Sequence, residues 1–365
     1  MMIQPLRLGL AFAACVLAAG AAAADTIYLL DGKSHEDVTV RSETFKEISF
    51  KVGSKKDTIK TDDVLRIDYS SKSQLVDRAD VAAAEGQILD AISDLETFVD
   101  GHLASGRKPR YGWEPAYAMF RLVELYGAMG DVESMIAAVD RLVEKEPESR
   151  FVPFAFLAKA EAQFFSGSAA NAQKTLKKFL DLIQGKSLSQ RWQIEQKLAV
   201  ILYDTKLKGK SLRTKLEAIS TSAGSQYPRV KNAAQVAIAE SHLADKDFGK
   251  AEPIFRSITD NPKAAARTLA AAYTGLGDCL FKRAVSGSGD KAELIKSAKL
   301  AYMRVVVVYK DQVRYAPKAM FWAGRAFDES GEELDKESAQ KLYQRVSREY
   351  RGTKWADEAN AFRKR

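Results

Sequence analysis

A small residue followed four positions later by a bulky apolar side chain, and three later by another, recurs from about residue 75 to the C-terminus. It is written Ala91-Leu95-Phe98, Ala172-Leu176-Phe179, Ala251-Phe255-Ile258, Ala298-Tyr302-Val305 and Ala339-Tyr343-Val346. Offsets of four and three place all three side chains on one helical face. The alanine admits a neighbouring helix at close range and the bulky pair fills the space beside it. A unit of this kind repeated along a chain predicts stacked helix pairs, each burying its apolar face only against its neighbours. Such stacks bind other macromolecules far more often than they carry out chemistry.

Two segments precede the repeating part. Residues 1–24 contain Arg7, an apolar run from Leu8 to Ala19, and Ala22-Ala23-Ala24 before Asp25. This is the pattern of a secretory signal peptide, too short for a membrane span, and it predicts an exported protein cleaved near Ala24/Asp25. The rival reading is a lipoprotein signal acylated on Cys15. Phe12-Ala13-Ala14 only loosely resembles a lipobox, and the apolar Val16-Leu17 follows where a polar tether is expected. Loss of residues 1–24 removes Arg7 and lowers the net charge from +8 to +7. It also leaves Cys279 as the one cysteine, so no internal disulfide is expected even in an oxidising compartment.

Residues 25–70 alternate with a period of two. Thr26 to Leu30 runs into Asp31-Gly32, a hairpin signal; Asp37 to Arg41 alternates, as does Lys46 to Val52 before Gly53-Ser54. Ile59, and then Leu65, Ile67 and Tyr69, supply two more short strands. Five strands in so few residues predict a small β-barrel-like domain that closes on itself or docks on the first helices. The Asp-Gly after the first strand resembles the opening of Sm-type barrels, within a general SH3-like or Sm-like pattern. Ser70 to Ser73 reads as a polar linker, and from Gln74 the period becomes helical.

Several positions carry a specific resemblance. Tyr273, Leu276, Gly277 and Leu280 match the first-helix spacing of the tetratricopeptide repeat, as do Met320, Gly324 and Phe327 with Gly331 at the turn. Leu122, Tyr126, Gly130 and Pro147 fall at repeat spacing, with Met135 in place of the usual small residue and looser packing expected there. Gly86 and Gly167 stand at turn positions. The fold class is therefore mainly α: a tetratricopeptide-like α-solenoid over 74–365, of about seven helix pairs and a closing helix, after the small β domain. Residues 186–225 fit the repeat poorly, Pro253 falls inside an expected helix, and an excess of residues between Leu280 and Ala298 is expected as a loop at Ser286 to Gly289. Tyr227-Pro228 and the stretch from Tyr350 to Asn360 resemble repeats of bacterial envelope proteins, such as an outer-membrane assembly lipoprotein and a Tol–Pal-linked division coordinator.

Signs of chemistry are sparse. His35, His102 and His242 lie in separate modules without a second ligand at helical spacing, so no metal and no cofactor is expected. There is no nucleophile elbow and no phosphate loop. A hydrolase using Cys279 is the enzymatic alternative; the main expectation is that the chain is not an enzyme. The basic runs Lys206 to Lys210 and Arg363 to Arg365 lack interleaved aromatics, so nucleic acid is not an expected partner; they read as a solvated basic surface, with peripheral contact with envelope components as the alternative.

In tetratricopeptide repeats the residue after the small position of the first helix points into the concave groove. That register gives Asp80, Glu124, Glu161, Glu240 and Asp278, reversing to Arg325. Five acids at equivalent positions predict either an acidic row that receives a basic peptide or protein, or a set of local pairs with Lys and Arg on adjacent repeats. The functional expectation is a non-catalytic protein–protein interaction scaffold of the periplasm or cell envelope. A component of outer-membrane or cell-wall assembly is the alternative.

Overall fold

The computed structural model describes residues 24–84, 87–106, 111–185, 190–261, 264–310, 312, 314–350 and 353–363. The segment read as a signal peptide, Cys15 and Gly86 lie outside these residues, apart from Ala24.

Five strands open the described chain: β1 (Asp25–Leu29), β2 (Ser34–Glu43), β3 (Glu47–Val52), β4 (Lys55–Lys60) and β5 (Val64–Asp68). They form one antiparallel sheet in the order β4-β3-β2-β1-β5, with a 3-10 turn at Thr61–Asp63 between β4 and β5. Gly53, at φ +60°, makes the tight β3–β4 turn that sets Val52 opposite Lys55. Ile27, Val38, Val40, Ile48, Phe50, Val64 and Ile67 turn inward. The alternation expected in the last strand is broken. A register shift between Tyr28 and Leu29 lets Val64 and Ile67 both face the core while Leu65 is exposed.

β4 and β5 are the edges of this sheet, and its core is completed from outside. Trp113, only 2% exposed, enters it from the first turn of the third helix, and Tyr69 stacks on the indole at 3.7 Å between ring centres. In return Phe45, from the β2–β3 turn, sits in the core of the first helices. The backbone follows: Phe45 N donates to Glu148 O at 3.0 Å, and Thr44 bridges Ser149. Glu43 is buried against Arg150, whose guanidinium also donates to Tyr69 Oη at 3.0 Å. The linker reading of Ser70 to Ser73 captures the connection only. Both Ser73 N and Ser73 Oγ donate to the buried carboxylate of Glu114. Sheet and helices thus share a packed interface, because a sheet this small cannot bury its own open side.

Fifteen α-helices follow: α1 (Gln74–Ala84), α2 (Ile88–Ser105), α3 (Glu114–Met129), α4 (Val132–Lys145), α5 (Val152–Phe165), α6 (Ala169–Gly185), α7 (Gln190–Leu202), α8 (Gly209–Ala223), α9 (Pro228–Ala244), α10 (Phe248–Thr259), α11 (Ala266–Val285), α12 (Lys291–Val308), α13 (Ala316–Ser330), α14 (Glu333–Glu349) and α15 (Lys354–Arg363). They stack as seven sequential pairs and a closing helix, a tetratricopeptide-like solenoid. The recurrent unit is its seam. Ala172, Leu176, Phe179, Ala251, Phe255, Ala298, Tyr302, Val305, Ala339, Tyr343 and Val346 are all fully buried, with Phe98 half-buried. Gly130, Gly167 and Gly331 close turns between paired helices at φ +75°, +87° and +78°, a conformation other residues adopt at a cost.

Departures from the expected pattern have local causes. Met135 is accommodated rather than loosely held, since Gly127 on α3 supplies the space: a Cβ there would lie 3.3 Å from Met135 Sδ. In the fourth pair the offsets persist as Leu212-Leu216-Ile219 with a leucine at the small position, so residues 209–223 form α8 without matching the repeat. Pro253 lies in the interior of α10 and forfeits the bond to the carbonyl four residues earlier. The excess after Leu280 is absorbed largely by lengthening α11 and α12 to 20 and 18 residues, leaving a turn around Ser286 to Asp290. Helix starts also carry a signature: an aromatic N-cap with proline just inside, at Trp113/Pro115, Phe151/Pro153, Tyr227/Pro228 and Tyr315/Pro317.

Candidate functional site

The six residues at the expected groove register lie on the first helices of their pairs: Asp80 on α1, Glu124 on α3, Glu161 on α5, Glu240 on α9, Asp278 on α11 and Arg325 on α13. They do not form one continuous row of free charges. The structure gathers them into separate groups, each with its own basic partners.

Near the N-terminal end, Asp80 accepts from Lys72 Nζ at 2.5 Å, Tyr117 Oη at 2.7 Å and Arg121 Nε at 3.1 Å. Arg121 also donates to Glu124 at 2.6 Å, so one guanidinium joins both acids. Tyr117 is held protonated well above the usual phenol range by burial, with the Asp80 charge adding to the effect. These two acids serve the contact between α1 and α3.

The second group draws on α5, α9, α11 and the start of α13. Glu161 receives two hydrogen bonds from Arg267 Nη2, at 2.9 and 2.7 Å, and an ion pair from Arg314. Burial opposes its charge, but the two guanidiniums prevail and hold its carboxyl below the ordinary range. Asp278 is nearly buried; it accepts from Tyr302 Oη at 2.8 Å and from Lys318 Nζ at 2.5 Å. The same Tyr302 ring lies over Gly277, where a Cβ would come within 2.6 Å of it. Asp278 is thus part of the packing of α11, α12 and α13 on one another.

Glu240 differs from the other four acids. It makes no hydrogen bond or ion pair among the described residues and remains open to solvent, yet the surrounding walls strip away enough water to raise its carboxyl pKa. Lys318 and Arg314 are close enough to oppose that rise and Asp278 to reinforce it. Tyr203 faces Glu161, Arg314 and Arg267, and Tyr315 faces Glu240 as well as these; burial raises both phenols. Arg325 stands apart, its guanidinium over the Phe362 ring of α15 at 4.4 Å.

Arg267, Arg314, Lys318, Tyr203 and Tyr315 complete this group and were not expected from the sequence. Arg314 and Tyr315 precede the α13 proline, but nothing local marks them as neighbours of Glu161, 153 residues earlier. Cys279, the residue of the hydrolase alternative, lies inside the helical core. It is fully buried, its Sγ lies 3.9 Å from Phe248 O, and burial pushes the thiol up to about 11. Among the described residues no group of three or more His, Cys, Asp or Glu side chains is arranged to hold a metal ion.

Residues 117–149, which span most of α3 and all of α4, match the family model described as tetratricopeptide repeat. No curated protein gives a significant match. Solved structures similar to the chain include a signal transduction ATPase with a tetratricopeptide repeat sensor, PH0952 from Pyrococcus horikoshii. Identity is 13%, covering 79% of this chain and 43% of that one, at a TM-score of 0.43. NprR in complex with its cognate peptide NprX is similar at 13% identity, covering 80% and 82% of the two chains at a TM-score of 0.41. A tetratricopeptide repeat protein from Parabacteroides merdae is similar at 13%, covering 68% and 97% at 0.29. The chain thus spans less than half the length of the first of these.

Proposed function

We propose that this chain is a non-catalytic interaction scaffold of the periplasm or cell envelope, receiving a peptide or protein segment on the inner face of its solenoid around Glu240. One observation carries the reading: Glu161, Glu240, Asp278, Arg267, Arg314 and Lys318 converge from four helix pairs, and only Glu240 among the acids is left without a direct partner. A concave solenoid face is the usual binding surface of such folds. Because the other acids are neutralised internally, the inner face is more selective than a uniformly acidic row. It offers one open carboxylate, flanked by Tyr315 and Lys318, to a cationic group of the partner.

A photo-crosslinking residue placed at Glu240 tests this in cells. The expected result is a discrete adduct that is absent when the same residue replaces Leu300, which is 67% exposed on α12. Equal labelling from both positions, or none from 240, sinks the proposal. The address rests on the sequence of residues 1–24, and mass spectrometry of the mature protein checks it: the chain should begin at or near Asp25, and an acylated Cys15 would refute that. A role in outer-membrane or cell-wall assembly is a narrower version of the same reading, to be decided by the identity of the adduct.

A further inference from the structure

The helical core is not continuous. One large cluster of buried side chains runs from Phe45 and Val76 through α6 to Trp192, and another from Val236 to Ala359. Between them lie two small clusters, around Leu216 and Ile219 and around Ala172 and Tyr203. This is the stretch where leucine replaces alanine at position 212 and the buried Trp192 Nε1 has no hydrogen-bond partner. Within the fourth pair α8 packs closely on α9, whereas α7 is packed sparsely on both α6 and α8, so the joint between the two bodies lies at α7.

Glu161 belongs to the first body; Arg267 and Arg314 belong to the second. Their ion pairs span 106 and 153 residues and cross the joint on its inner side. Arg314 adds a second contact across the gap, its guanidinium over the Phe165 ring at 4.7 Å. The bridge is built of long side chains. Arg267 and Arg314 are 59% and 39% exposed, so water and salt reach them while Glu161 is more sheltered at 21%. An exposed ionic bridge across a weakly packed joint is a contact that can part without unfolding either body.

We infer that Glu161, Arg267 and Arg314 form a clasp that holds the two halves of the solenoid together about the fourth helix pair, and that releasing it widens the inner face and draws back the walls that desolvate the exposed Glu240. The second half of this statement rests on the function proposed above; the first does not.

Small-angle scattering of the wild type, of Glu161→Gln and of the triple reversal Glu161→Arg/Arg267→Glu/Arg314→Glu tests the clasp. Glu161→Gln should enlarge the radius of gyration with unchanged helical circular dichroism, and added salt should enlarge the wild type in the same direction. The reversal should restore the compact dimension. Unchanged dimensions in a helical Glu161→Gln protein, or a reversal that stays expanded, would overturn it. Carbodiimide coupling of Glu240 to glycine ethyl ester, read by mass spectrometry, tests the access. Labelling should rise several-fold in Glu161→Gln. Expansion without increased labelling would retain the clasp and overturn its control of the inner face. The scaffold reading is judged separately, by the crosslink from position 240.

Discussion

Two residues show how differently equivalent positions are used. Gly277 is a packing residue: the Tyr302 ring occupies the space that any Cβ would need, and that ring is itself fully buried and hydrogen-bonded to Asp278. Gly277→Leu should therefore overpack the contact of α11 with α12 and cost about 1–3 kcal/mol, read as a lower melting temperature. An unchanged melt would mean that the ring does not lie where the structure puts it. Glu240 is the opposite case, an acid kept at some cost. Desolvation raises its carboxyl pKa in the folded state, with Asp278 adding and Lys318 and Arg314 opposing. A raised folded value favours the protonated form, so its contribution to stability is present below the ordinary carboxylate range. That contribution is lost as pH rises through the folded value. Glu240→Gln stays neutral throughout, so it should melt higher than wild type near neutrality, and the gap should close on acidification. Melting curves that coincide between about pH 4 and 7 would refute the desolvation.

At the scale of elements, the docking of the sheet on the helices is the feature with the clearest energetic stake. Glu43 has 1% of its side chain exposed and its charge is met by Arg150, 12% exposed, with Tyr69 bonded to both. Removing one partner of a buried pair strands the other. Arg150→Met should cost about 3–5 kcal/mol and loosen the sheet from the start of α5, while Glu43→Gln/Arg150→Met should recover much of that loss. Chemical denaturation of the single and double variants reads the difference; a double variant no more stable than the single one would place the cost in lost packing. Of the two arrangements expected for the β segment, closure on itself or docking on the first helices, the open sheet takes the second. Trp113 belongs to the start of α3 by sequence and to the sheet by packing.

At the scale of the whole molecule, the solenoid is two packed bodies joined through α7. Small rotations between successive pairs accumulate until α5 meets the starts of α11 and α13. Curvature of this kind makes an inner face out of residues that are far apart in the chain, and it also makes that face depend on a few long-range contacts. The scaffold and clasp proposals share this origin: both need the halves to approach, and they differ in whether a partner is involved.

The helix-pair stack was legible because its cause is local. A small residue with bulky ones four and three later lies on one helical face whatever the rest of the chain does, and Ala251, Phe255 and Ile258 are buried together for that reason. The β segment was legible from its period of two and its Asp-Gly and Gly-Ser turns. The positions of Asp80, Glu124, Glu161, Glu240 and Asp278 on first helices were legible from the repeat register, but their roles were not. Whether an acid is paired depends on which cations surround it, and only Arg121, three residues from Glu124, is local; Lys318 stands forty residues from Asp278 and Arg314 one hundred and fifty-three from Glu161. Local periodicity fixes which face a residue occupies. Only the accumulated curvature of the stack decides what it faces.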